Sequence, residues 1–194
     1  MSFPPLAPRT VRWRALDSIG LEHLDLRPQA DEIVAESVVI GERGDRPYGV
    51  RYRVVCDAAW AVRSLDLMTT VSRSLSVRSD GAGRWTDAKG RPLPHLSGCI
   101  DIDLAGSPFT NTLPIRRLGI DVGQRPVELR MVYVPFDTFE PTIDEQRYTC
   151  LESGRLFRYE AVDGSFSAHI SVDEDGLVTD YPPLFIRAPI ETGP

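Results

Sequence analysis

The sequence predicts an all-β fold of curved antiparallel sheets, with two similar halves enclosing a cavity. Three observations predict it. Short segments of alternating polarity run from end to end of the 194 residues. Turn-forming residues punctuate them at close intervals. Helical periodicity is scarce.

In order, Val11–Leu16, Leu21–Leu26 and Asp31–Glu42 read as extended segments. Tyr48–Cys56 follows, with Val50, Tyr52 and Val54 on one face by the two-residue period of a strand. Trp60–Thr69 and Val71–Ser79 come next, the second setting Leu75 and Val77 against Ser74, Ser76 and Arg78. Val127–Val134, Gln146–Leu151, Leu156–Val162, Phe166–Val172 and Leu177–Tyr181 complete the set. Arg43-Gly44-Asp45, Asp80-Gly81, Lys89-Gly90, Asp163-Gly164 and Asp175-Gly176 supply the turns, because Gly tolerates the left-handed region and Asp bonds its own backbone. One helix is expected, over Thr112–Leu118, where Pro114 must fall in the first turn. Tyr181-Pro182-Pro183-Leu184-Phe185 reads as a stiff aromatic cover for a sheet edge, since proline removes ladder donors.

Two stretches match each other. Arg51-Tyr52 and Arg147-Tyr148 each open a strand, and Arg63 aligns with Arg158 after one gap. Leu75-Ser76-Val77 aligns with Ile170-Ser171-Val172, and Asp80-Gly81 with Asp175-Gly176. A single domain over 1–194 with internal repeats at 51–81 and 147–176 is the expectation, with a ligand space between or inside the halves.

Composition narrows the function. The net charge of −6 argues against a nucleic-acid binder, which needs a basic face to displace counterions. Of the 22 basic residues all but Lys89 are arginine. No apolar run approaches the roughly 18 residues of a membrane span. Met1-Ser2-Phe3-Pro4-Pro5 does not have the layout of a signal peptide, and Cys56, Cys99 and Cys150 have neither zinc nor disulfide-framework spacing. Reduced thiols in a cytoplasmic protein, with no cofactor and no metal, are the expectation. No nucleophile elbow or zinc-protease motif is present.

The densest chemistry lies in Ser97–Leu118, SGCIDIDLAGSPFTNTLPIRRL. Period two puts Asp101 and Asp103 on one strand face and Ile100 and Ile102 on the other. Asn111, Arg116 and Arg117 form the best polar cluster, because the guanidinium fork matches carboxylate or phosphate. Two roles compete for these five residues. Either they hold an anionic or hydroxyl-rich head group, or Arg116, Arg117 and Arg147 clamp the Asp pair. Trp85, Arg147 and Tyr148 complete the candidate ligand-binding set; tryptophan stacks on sugar rings, although Trp13, Trp60 and Trp85 are each read first as core.

The strings GRW at Gly83–Trp85, GCIDIDL at Gly98–Leu104, PFTNTLPIRRL at Pro108–Leu118, QRYT at Gln146–Thr149 and GLVTDYPPLFIR at Gly176–Arg187 resemble the bacterial family called "putative glycolipid-binding", formerly a domain of unknown function. The resemblance runs from Val11 to Arg187. It implies two half-barrel-like sheets, similar to periplasmic lipoprotein carriers, and brings no catalytic residues with it. The expected function is therefore binding of a glycolipid or related amphiphile in a sheet-lined cavity. The alternatives are a small hydrolase for an acylated or glycosylated substrate, marked by a His bonded to Ser or Cys in that cavity, and a protein-interaction module, marked by a bare apolar surface patch.

Overall fold

A computed structural model describes residues 2–44 and 46–189. Asp45 of the Arg43-Gly44-Asp45 turn and both ends of the expected 1–194 domain lie outside them. Strand accounts for 54% of the described residues and helix for 7%. The first half runs β1 (Arg9–Ala15), β2 (Leu21–Gln29), β3 (Glu32–Arg43), β4 (Arg46–Asp57), β5 (Val62–Thr69), β6 (Ser74–Ser79) and β7 (Trp85–Asp87). The second runs β8 (Asp101–Leu104), β9 (Val127–Val134), β10 (Thr142–Glu152), β11 (Leu156–Ala161), β12 (Ser167–Val172), β13 (Val178–Tyr181) and β14 (Phe185–Ala188).

The two sheets that the resemblance implied are one sheet. Its order is β7-β6-β5-β4-β3-β2-β1-β14-β13-β12-β11-β10-β9-β8, and it curves without closing. Every pairing is antiparallel except β8 with β9. The seam is β1 against β14, from Arg12↔Ala188 to Ala15↔Phe185. The Tyr181–Phe185 segment therefore lies in the middle of the sheet and does not cover an edge. Its prolines fall in the tight β13–β14 turn, where no ladder donor is needed. The true edges are β7 and β8. They are fastened by Gly98 N donating to Gly83 O at 2.9 Å, a contact so close that a Cβ on Gly83 would lie 2.9 Å from Gly98 Cα.

The hairpin turns share one device. Asp57, Asp80, Asp87 and Asp173 each accept, through Oδ1, the backbone N–H groups two and four residues on. The third residue after each Asp is left-handed: Trp60, Gly83, Gly90 and Gly176. By this turn geometry Asp80 is like Asp173 and Gly83 like Gly176, an offset of two residues from the Asp80-Gly81 and Asp175-Gly176 match read from the sequence. Both stretches are antiparallel meanders in the same strand order, β4-β5-β6-β7 and β10-β11-β12-β13. A meander has that order with or without a duplication.

Antiparallel alternation sorts the turns onto two ends. The β2–β3, β4–β5, β6–β7 and β12–β13 turns meet at one end, and it is plugged. There Arg116 lies 4.4 Å from the Trp60 ring centroid and 5.4 Å from that of Phe3, while donating to the carbonyls of Pro4 and Asp175. Trp60 is the one non-glycine at the left-handed position of the four Asp turns, with φ +68°. That backbone costs about 1–2 kcal/mol; ring burial and the guanidinium stack offset it.

Inside the curve runs a 3₁₀ turn, Pro108–Asn111, leading into α1 (Thr112–Leu118), the helix expected from sequence. Pro114 sits in the first turn, and Gly119 ends the helix at φ +55°. Phe109 and Leu113 join the core of the first half and Ile115 that of the second. Arg117 pins the helix to β8 through a bidentate pair with Asp101: Nη2 is 2.6 Å from Oδ2, and Nε 3.0 Å from Oδ1. The carboxylate is 1% exposed, so Arg117→Ala leaves an unpaired buried charge and should cost roughly 3–5 kcal/mol in urea unfolding. Arg147→Ala, at an exposed pair with Glu128, should change stability little by the same measurement.

Candidate ligand groove

The opposite end of the fold is open. Two adjoining cavities, of about 380 and 290 Å³, share Ala105, Tyr133, Leu184 and Phe185 as walls. Together they form a groove over the seam of the sheet. Across it, Arg43 donates to Tyr133 Oη at 2.8 Å, Arg73 donates to the carbonyls of Asp137 and Thr138, and Tyr48 meets Phe136 edge-on at 5.3 Å. These contacts tie the β3–β6 side of the curve to β9 and the segment after it, across the concavity and without a ladder. Gly106 lies beneath them; a Cβ there would fall 2.6 Å from Tyr48 Oη and 2.9 Å from the Phe136 ring, so only glycine fits.

The first cavity is built around Glu22. β2 alternates Glu22, Leu24 and Leu26 toward the interior, which forces a carboxyl onto the core face. It is 2% exposed. Oε1 accepts from three hydroxyls, Tyr52 Oη at 2.5 Å, Ser37 Oγ at 2.9 Å and Ser107 Oγ at 2.9 Å. Glu22 lines this cavity, and its Oε2 is buried with no hydrogen-bond partner among the described residues. A buried acceptor left unmatched costs free energy, so this oxygen is built to meet something. Burial pushes the carboxyl up to about 7, against the pull of the three hydroxyls.

The second cavity is built around Asp103. Thr110 Oγ1 donates to Oδ1 at 3.0 Å and Gln146 Nε2 to Oδ2 at 2.7 Å. The same amide nitrogen donates to Asp144 at 2.8 Å, so one amide is shared by two carboxyls. Burial, with the Asp144 charge adding to it, raises Asp103 to about 6. Asn111 lines this cavity. Its Oδ1 accepts from Tyr148 Oη at 2.8 Å and its Nδ2 donates to Pro108 O at 3.3 Å. The Ser107–Asn111 turn thus reaches one carboxyl with Ser107 and the other with Thr110.

Of the residues singled out from sequence, the structure brings Asp103 and Asn111 to the groove, with Tyr148 buried directly behind Asn111. Asp101 and Arg117 are taken up with each other. Arg116 lies in the plug at the far end. Arg147 pairs with Glu128, Nη2 to Oε1 2.6 Å. Trp85 is 2% exposed near the β7 edge and donates through Nε1 to Cys99 O at 2.8 Å. Sequence reasoning missed Glu22, Ser37, Tyr52 and Ser107. The signal was present: Glu22 holds the same strand parity as Leu24 and Leu26, and Ser37 that of Ala35 and Val39, so each is a polar residue at a core position. Among the described residues no cluster of metal-ligating side chains is found.

The family model described as "Putative glycolipid-binding" matches residues 10–187, which include every groove residue named above. The chain belongs to this glycolipid-binding family. It is also similar to the crystal structure, at 1.80 Å resolution, of a DUF1089 family protein from Pseudomonas aeruginosa. The two are 40% identical, with a TM-score of 0.77 over 87% of this chain and 92% of that one. No curated protein matches. No helix among the described residues is long and apolar enough to cross a membrane.

The raised Glu22 carboxyl fixes the sign of a pH effect. Its folded value near 7 exceeds the ordinary 4.5, so the native state holds the proton more tightly than the unfolded chain does. Its contribution to stability is full below about pH 4.5 and is lost as pH rises to 7. Gln in its place keeps a carbonyl for the three hydroxyls. The stability of Glu22→Gln relative to wild type should therefore rise between pH 4.5 and 7.5, by on the order of 3 kcal/mol in urea titrations at each pH. A flat difference across that range would show that Glu22 does not titrate there.

Proposed function

We propose that this member of the glycolipid-binding family binds an uncharged, hydroxyl-rich amphiphile in the open-end groove, with a sugar head group against Glu22 and Asp103. The observation that carries the reading is Glu22, which lines the groove with its Oε2 buried and unmatched among the described residues. A sugar hydroxyl is a natural donor to it, and Tyr48, Tyr133, Phe136 and Phe185 offer aromatic faces beside it. The charge of the lining favours a neutral head group. Asp17, Glu22, Glu42, Asp103 and Asp144 border the two cavities, and Arg43, already bonded to Tyr133, is the one arginine there among the described residues. Arg116 and Arg117 are spent at the far end, so we assign them and Asp101, Trp85 and Arg147 to architecture. The three free cysteines, all buried, suit the cytoplasmic location expected from sequence.

Native mass spectrometry of protein purified from its own host should show a bound sugar-bearing lipid. Titration with n-octyl β-D-glucopyranoside at about pH 8.5, where a carboxyl near 7 is ionised, should show Glu22→Gln binding roughly tenfold to hundredfold more weakly, the value of a hydrogen bond to a charged group. A co-purified anionic phospholipid, or equal binding by wild type and Glu22→Gln, would overturn the assignment.

A second reading has one observation in its favour. A carboxyl near 7, with one oxygen fixed and the other bare, is also what a general acid requires. Release of p-nitrophenol from p-nitrophenyl glycosides by wild type, abolished in Glu22→Gln, would establish the hydrolase.

A further inference from the structure

Nine large hydrophobic side chains are exposed among the described residues, and their distribution is lopsided. Only Val122 and Leu151 lie toward the plugged end. Leu16, Ile19, Leu21, Val38, Ile40, Met68 and Val71 all lie toward the open end, on the β1–β6 side of the groove. Scattered exposed hydrophobics are ordinary. These are grouped by the sheet register. Leu21 is paired with Ile40 on the outer face, and the next row along runs His23, Val38, Arg51, Met68 across four strands. Ile19 and Val71 sit at the tips of two turns on that same end, 78% and 77% exposed, where small or polar residues are the rule.

We propose that this end of the protein docks on a neutral lipid bilayer, with Ile19 and Val71 entering the interface and Leu16, Leu21 and Ile40 resting on it. The inference rests on the groove reading above and adds to it the source of the ligand. Continuity decides the occupant: Leu21 and Ile40, exposed on the outer face, border the mouth of the groove. An acyl chain leaving the groove therefore runs onto apolar surface, and a bilayer pressed there would pass it in without exposure to water. Charge selects a neutral surface. Arg43 and Arg73 are bonded across the groove, Arg51 faces Glu36 at 3.8 Å, and Asp17 and Glu42 flank the same mouth. Among the described residues no cluster of unpaired basic side chains borders this mouth, so docking should depend on apolar contact and be weakly sensitive to salt.

Flotation with phosphatidylcholine vesicles tests this on the full chain. Wild type should float with the vesicles, changing less than twofold between low and 0.5 M salt, and Ile19→Asp/Val71→Asp should lose partitioning at least tenfold. Val122→Asp/Leu151→Asp, at the other end, should match wild type. Titrating the same proteins with n-octyl β-D-glucopyranoside below its micelle concentration separates docking from the groove. Ile19→Asp/Val71→Asp should keep wild-type affinity for this soluble probe, which also shows that it is folded. If wild type does not float, or both double variants lose binding equally, the docking surface is refuted. It is equally refuted if binding requires phosphatidylserine and vanishes with salt. A concentration-dependent dimer in sedimentation, broken by Ile19→Asp/Val71→Asp without vesicle binding, would assign the patch to a second copy instead. Flotation without octyl glucoside binding would sink the groove reading and leave docking standing.

Discussion

A polar turn threaded through the inside of a curved sheet persists only if its polar groups are matched, and the rest of this structure is arranged around that requirement. The sheet does not close, so something other than its own side chains must fill the concavity. The Ser107–Leu118 segment does so. Phe109, Leu113 and Ile115 bind the two cores together, and the polar side chains of Ser107, Thr110 and Asn111 each find a partner. Ser107 donates to Glu22, Thr110 to Asp103, and Asn111 accepts from Tyr148. Each partner comes from a different strand. The turn thereby fixes the relative placement of β2, β8 and β10, and with them the two carboxyls of the groove.

The same matching explains why the two ends differ. At the plugged end Arg116 satisfies two carbonyls and stacks on Trp60 and Phe3, and Arg117 satisfies Asp101. Cations there are consumed by structure. At the open end the carboxyls outnumber the available cations, and Glu22 keeps one oxygen unmatched. A protein holding an anionic head group would show the reverse. The arrangement suits donors without charge, and sugar hydroxyls are the commonest such donors on an amphiphile.

Much of this was legible in the residues. Alternation gave β1 to β6, β8 and β9 to β13 with end shifts of a few residues but not the three-residue β7, and Pro114 in a first turn marked α1 at its true bounds. The all-β class and the family followed from the same strings. What the sequence hid has physical causes. Trp60 was read into a strand because a β-rich aromatic gives no sign of a left-handed turn; Asp57, three residues earlier, is the feature that sets it. The β14 seam was masked by its prolines, which argued for an edge. Glu22 was overlooked because acidic residues are presumed solvated, yet its parity with Leu24 and Leu26 places it inside. The Asp101 and Arg117 pairing was among the stated options, but no local pattern could show that Asp103, two residues on, faces a groove formed by strands far away in the chain.

The account stands or falls on what meets Glu22 Oε2. A crystal structure of the protein with n-octyl β-D-glucopyranoside measures this directly. The account predicts a sugar hydroxyl oxygen at about 2.6–2.8 Å from Oε2, with the octyl chain leading out past Leu21 and Ile40. A glucoside bound at the Arg116–Arg117 end, or a groove in which Oε2 stays unmatched beside a bound ligand, would contradict it.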